Sequence, residues 1–290
     1  MKALLLGAVA VAVAVSALPA WAAAACPSLA GVAPVLARKG VHFIILGEKH
    51  GTVGVPQLFG DLVCHAARRG PVVVSLEFGE SATGRIRRYV ASNGSDEDRR
   101  ALLADDLWDP RYADGRSSTA IFDLVDRLRQ LRQAGADIRI YCSQPESESL
   151  APQWYDELAR ADAWARIAAE NPGMPVLILV GTAHAALHDN DRLGFLPAAG
   201  HLRPADVIAI GPTDEGGSAW SLRVLPSGEP DMGPHPLPAG RPQARGIRML
   251  RDTTSGYTAT YAVGTSAAPS PPARWEVGRQ AGGTIGGDSR

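Results

Sequence analysis

Two short segments share a G-x-x-H spacing: Gly47-Glu48-Lys49-His50 and Gly181-Thr182-Ala183-His184. Each directly follows an apolar run of strand length, and a third such run, 72–78, carries Glu77 near its end. Strand ends thus deliver Glu48, His50, Glu77 and His184, two imidazoles and two carboxylates. That set suffices to hold a divalent metal. It also suffices for metal-free work, with an imidazole as general base and a carboxylate to orient it. A glutamate among apolar neighbours is costly to bury unless it is paired or used. A glycine ahead of each histidine lets backbone approach closely.

The remaining candidates carry less. Arg116, in Asp114-Gly115-Arg116-Ser117-Ser118, sits in a turn ahead of a helix and can reach over the rim to bind an anion. His188 is four residues from His184, but the metalloprotease motif also requires a glutamate between its histidines, so His188 reads as surface. His42, His65, His201 and His235 read as structural. Gly79-Glu80-Ser81-Ala82-Thr83-Gly84 does not have the nucleophile-elbow spacing, and neither a Walker A loop nor a strand-following GxGxxG is present.

These residues need elements to position them. The apolar runs at 41–46, 72–78, 137–142 and 175–180 read as strands, with further strands at 206–210 and 219–225. Helical spacing appears at 55–69, at 117–134, where Ser117 or Ser118 can cap, and at about 152–170; polar helices fill 81–105 with a break at Asn93-Gly94. Strands this apolar are buried on both faces. The expected class is therefore α/β: a mostly parallel central sheet with helices on both faces and the site at the carboxyl rim of the strands.

The chain has 290 residues, 46% hydrophobic and 20% charged, with a formal charge of −1. It has ample material for a core and no electrostatic footprint for nucleic acid. Residues 1–25 read as a secretory signal peptide: Lys2, an apolar run over 4–15, then small residues to Ala25. Cleavage leaves no transmembrane segment and an exported protein, periplasmic or secreted. Of the three cysteines, Cys26 follows the cleavage site; it either pairs with Cys64 or carries a lipid anchor. The α/β domain spans 26–225. A Pro- and Gly-rich extension covers 226–264 with one late strand at 257–263, and 265–290 reads as disordered.

The Glu48/His50 segment, Glu77 and the His184 segment resemble the superfamily of erythromycin esterases, ChaN-like haem-uptake proteins and Tiki/TraB proteins, over roughly residues 38–225. The stretches 46–52, 114–118 and 216–220 also resemble a group of exported bacterial proteins. The resemblance implies an α/β sheet with its site at one rim and carries Glu48, His50, Glu77 and His184 over as site residues. It spans several activities: metal-dependent proteolysis in Tiki-like members, lactone opening in erythromycin esterases, haem binding in ChaN.

The resulting expectation is an exported hydrolase that activates water at the Glu/His cluster, with Mn, Co or Zn as cofactor. Its substrate is a small molecule or peptide with an ester, lactone or peptide bond. The alternative is a haem- or metal-binding uptake protein without turnover.

Overall fold

Strand side chains alternate between faces, so an unbroken apolar strand needs cover on both. The structure, a computed structural model, describes residues 26–110, 114–146, 152–189 and 194–274 and meets that need with helices on either side of one sheet. In chain order the main elements are α1 (Val32–Ala37), β1 (Phe43–Glu48), α2 (Gly54–Ala67), β2 (Val72–Gly79), α3 (Thr83–Ala91), α4 (Asp96–Leu103), α5 (Thr119–Gln133) and β3 (Ile138–Gln144). They continue with α6 (Gln153–Glu170), β4 (Val176–Gly181), α7 (Thr182–Ala185), β5 (Val207–Pro212), β6 (Ser218–Val224), β7 (Pro230–Pro236), β8 (Gly246–Met249) and β9 (Ala259–Ala262). The sheet order is β3-β2-β4-β1-β5-β9-β8, parallel except for β8 at the edge. The expected α/β class stands.

Alternation divides the core. Ile44, Leu46, Val72, Val74, Leu76, Leu177 and Leu179 pack under α2, α3 and α5. Phe43, Ile45, Val73, Ile178 and Val180 face the other way, against Trp164 and Ile167 of α6. On that second face β2 continues from Val73 through Ser75 to Glu77. Ser75 Oγ donates to Ser143 Oγ at 2.7 Å, and Trp164 Nε1 donates to the same oxygen at 2.9 Å. This small buried chain sets the rotation of α6 over the sheet.

The C-terminal third differs from expectation. The late strand is β9, which extends the main sheet beside β5, and β8 joins it as a further strand. β6 leaves the sheet to pair with β7 as an exposed hairpin. Residues 265–274, expected to be disordered, form a strap. Ser270 N donates to Gly51 O at 2.7 Å, Val53 N to Ala268 O at 3.0 Å, and Ala273 N to Ser117 O at 3.0 Å. The strap also caps α5: Ala120 N donates to Ser270 Oγ at 2.9 Å, whereas neither Ser117 nor Ser118 caps it, Ser118 Oγ being buried without a partner among the described residues. Composition misled here because Gly and Pro mark irregular backbone as readily as disorder. The expected signal peptide and residues 275–290 of the expected tail lie outside the described residues.

Cys26 and Cys64 form a disulfide that pins the N-terminus to α2, which leaves Cys26 no thiol for a lipid. Such a bond fits an exported protein. No described helix is long and apolar enough to cross a membrane. Cys142 is free and buried, and burial pushes its thiol up to about 12. Thiol titration should therefore find no reactive cysteine in the native protein and one of the three after unfolding without reductant; three before reduction would remove the disulfide.

Candidate active site

Register brings the strand ends together. Glu48 pairs with Gly181 across β1 and β4, and Leu76 of β2 lies opposite Leu179. The β2–β3 ladder slips between Leu76 and Gly79, the kind of irregularity that re-aims a side chain beside a site. Glu77 emerges there on the α6 face. Glu48, His50, Glu77 and His184 all meet at the carboxyl rim.

Glu77 is the hub. Its Oε2 lies 3.3 Å from His50 Nε2, and its Oε1 lies 3.5 Å from His184 Nε2. Two guanidiniums face the same Oε1: Arg160 Nη1 at 3.6 Å and Arg116 Nη1 at 3.8 Å. Burial raises the Glu77 pKa, but His50, then Arg160 and His184, more than reverse it and hold the carboxyl well below the usual range. The other ring nitrogen of His50 lies 3.2 Å from Glu48 Oε2. Burial lowers the His50 pKa, yet Coulombic attraction and hydrogen bonds from Glu48 and Glu77 lift it to about 10. His50 is therefore an imidazolium at neutral pH, donating through both nitrogens.

His184 has a different partner. Its Nδ1 lies 2.7 Å from Glu157 Oε1, on a side chain with no exposed surface. Burial raises Glu157, but the hydrogen bond and charge of His184 outweigh it and hold the carboxyl down. An ionised Glu157 can only accept, so Nδ1 carries a proton and Nε2 is the nitrogen turned toward the site. Glu157 is itself fixed by Gln153 Nε2 at 2.7 Å and Ala198 N at 2.9 Å.

Glu157 and Arg160 are site residues that motif spacing misses. Their signal is periodicity: they fall on the buried face of α6 with Ala161, Trp164 and Ile167. Charged residues on an otherwise apolar stripe are the visible mark. Arg116, expected at the rim, is there, with donors taken by Asp114 Oδ2 at 2.5 Å and by Gln144 Oε1. It lines a cleft of about 280 Å³ with Glu77, Phe78, Asp106, Gln144 and Glu146. Among the described residues, His188 bonds to the carbonyls of Asp189 and Thr253, outside the cluster.

The loops are held by backbone contacts. Thr182 Oγ1 donates to Glu48 O at 2.9 Å, tying the two G-x-x-H segments together. Tyr261 donates to Gly47 O and Tyr257 to Thr182 O, both at 2.9 Å. Gly181 admits no side chain: a Cβ would stand 2.9 Å from His50 Nε2 and 3.5 Å from Glu77 Oε2.

The expected divalent ion does not suit this donor set. Two guanidiniums already crowd Glu77. Among the described residues, no group of three or more His, Cys, Asp or Glu is arranged to hold a metal. For haem, the cleft beside Glu77 mixes apolar groups, Phe78, Leu107 and Pro145, with charged ones, Asp106, Arg116 and Glu146, and each histidine has a carboxylate on Nδ1.

No family model and no curated protein matches the sequence. Solved structures do. A mutant of the erythromycin esterase EreC in its open conformation aligns over 82% of this chain and 91% of its own, with a TM-score of 0.57 and 11% identity. This chain has the fold of an erythromycin esterase. A Bacillus cereus protein aligns at a TM-score of 0.49 and 13% identity, over 73% of this chain and 74% of its own. ChaN of Campylobacter jejuni, solved with cofacial haem, aligns at 0.39 and 11%, over 63% and 84%. The neighbours thus include both an esterase and a haem-binding protein.

Two outcomes follow from this geometry. A raised pKa in the folded state means that the charge of His50 stabilises fully below its ordinary 6.5 and ceases to as pH rises through about 10. The unfolding free-energy difference between wild type and His50→Gln, from urea melts, should shrink across that window; a difference independent of pH would contradict the pairing. Gly181→Ala should displace the His50 ring and remove activity while far-ultraviolet circular dichroism stays native.

Proposed function

We propose that this chain is a hydrolase of esters, lactones or peptide bonds that works by acid–base catalysis without a bound metal. The observation that carries this reading is the split between the histidines. One imidazole is held protonated by two carboxylates; the other is aligned through Nδ1 by a buried carboxylate, with Nε2 turned to the site. An imidazole held as a donor beside one oriented by a buried carboxylate can divide the work of acid and base.

In this reading His184 Nε2 takes a proton from water as the water oxygen adds to the substrate carbonyl. Glu157 holds the ring and balances the imidazolium that forms. His50 gives its proton to the leaving oxygen or nitrogen. Glu77 faces both Nε2 atoms and returns the proton from His184 to His50 for the next turnover. Glu48 keeps His50 oriented, and its buried Oε1, without a hydrogen-bond partner among the described residues, is left to accept from substrate. The fold shared with EreC supports ester or lactone chemistry, and the disulfide fits a protein that works outside the cytosol.

The test is purified protein against a panel of p-nitrophenyl esters, lactones and peptides. Turnover should persist in chelator, and elemental analysis should find no stoichiometric Mn, Co or Zn. His184→Asn and Glu157→Gln should each lower kcat by about 10²–10⁴-fold. For wild type, kcat should fall on the alkaline side as His50 deprotonates near pH 10, and this limb should vanish in His50→Gln. Stoichiometric metal with turnover lost on chelation would overturn the metal-free reading. A Soret shift at micromolar haem, lost on replacing His50 or His184, would favour uptake instead.

A further inference from the structure

Acyl transfer needs more than an acid and a base. Negative charge builds on the carbonyl oxygen as water adds, and a preorganised donor must meet it. The nearby candidates are mostly spent. Gly181 N donates to Glu77 Oε2 at 2.5 Å. Arg116 is taken up by Asp114 and Gln144. His50 donates to Glu48 and Glu77.

Arg160 is the exception. It is 4% exposed, yet its Nε and Nη1 have no hydrogen-bond partner among the described residues. Its approach to Glu77 Oε1, at 3.6 Å, balances charge but exceeds hydrogen-bond length. A buried guanidinium with unused donors is costly unless a ligand uses them. It also lies one turn from Glu157, so one rigid helix carries both groups.

We propose that Arg160 is a catalytic residue, the donor that binds the oxyanion of the tetrahedral intermediate. This rests on the hydrolase reading. As the water oxygen bonds to the carbonyl carbon, the C=O π pair moves to oxygen and the water proton goes to His184 Nε2. Arg160 donates hydrogen bonds to that oxygen and transfers no proton. When the pair returns, the bond to the leaving group breaks, and the leaving atom takes its proton from His50.

The ligand class follows: a tetrahedral anion of carbonyl-adduct shape, for which a phosphonate is the probe. Arg160→Met should lower kcat about 10²–10³-fold with KM little changed. Wild type should bind a phosphonate matched to its best ester at least ~10²-fold more tightly than the ester, and the variant should lose that excess. Added guanidinium should restore turnover to Arg160→Ala. A residue that merely steadies Glu77 would show none of this selectivity: ester and phosphonate affinities would fall alike and guanidinium would not rescue, which would overturn the proposal. Arg160→Lys, which keeps the charge, controls for folding through its melting temperature. If wild type turns over nothing on the panel, the hydrolase reading fails separately. Calorimetry with phenylphosphonate then decides: binding lost in Arg160→Met retains the anion site, and no binding to wild type ends it.

Discussion

A carboxylate at the end of an apolar strand is the constraint from which the site follows. Glu77 is 8% exposed and has Leu76 and Phe78 for neighbours in β2. Left alone in such a place, a carboxyl would be neutral. It is ionised because His50, Arg160, His184 and Arg116 converge on its two oxygens from the loop after β1, from α6, from α7 and from the turn before α5. Each of those elements must therefore be held at a fixed distance from β2. The cations in turn need counter-charges, which brings in Glu48, Glu157 and Asp114.

The late part of the chain meets that demand for rigidity. β9 supplies Tyr261, and the turn before it supplies Tyr257; each phenol fixes a carbonyl in one G-x-x-H segment. The strap at 265–274 then binds the Gly51–Val53 backbone on one side and the start of α5, just after Arg116, on the other. Gly51, with φ of +72°, and Gly115, with φ of +100°, pack so closely that a Cβ on either would strike backbone. Charged groups brought together out of water are useful only if they cannot relax away from one another. Here a segment with little regular structure restrains the loops that carry them.

Much of this was legible from residue types and much was not. Strands buried on both faces have one unambiguous reading, so the parallel sheet and the shared rim followed from the runs at 41–46, 72–78 and 175–180. The two G-x-x-H segments and Glu77 stood out because polar residues ended apolar strands. Glu157 and Arg160 were hidden because a charged residue in a helix is ordinary until its face is known. The face of α6 is set by Trp164 reaching Ser143 on the preceding strand, a tertiary contact that helical periodicity alone does not show. The strap was hidden for a related reason. Its order comes from hydrogen bonds to loops some 150 to 220 residues away, as from Ser270 to Ala120 and Gly51, and local composition carries no trace of them.

The repeated motif conceals a difference in chemistry. By sequence, His50 and His184 occupy the same position in a G-x-x-H segment and invite the same role. By environment they diverge. His50 lies between two carboxylates, both ring nitrogens satisfied as donors, so its proton is held to about pH 10. His184 has one carboxylate behind it, on a helix, and its second nitrogen meets Glu77 only at 3.5 Å, beyond a strong hydrogen bond. Were both histidines to ligate one metal, both would have to be neutral, and the charge of Arg160 and Arg116 beside the shared carboxylate would oppose the ion. The same pairings that disfavour a metal give the two imidazoles unlike surroundings, which is what the proposed division into acid and base requires. Glu77 lies against both imidazoles, and its guanidinium neighbours keep it ionised between them.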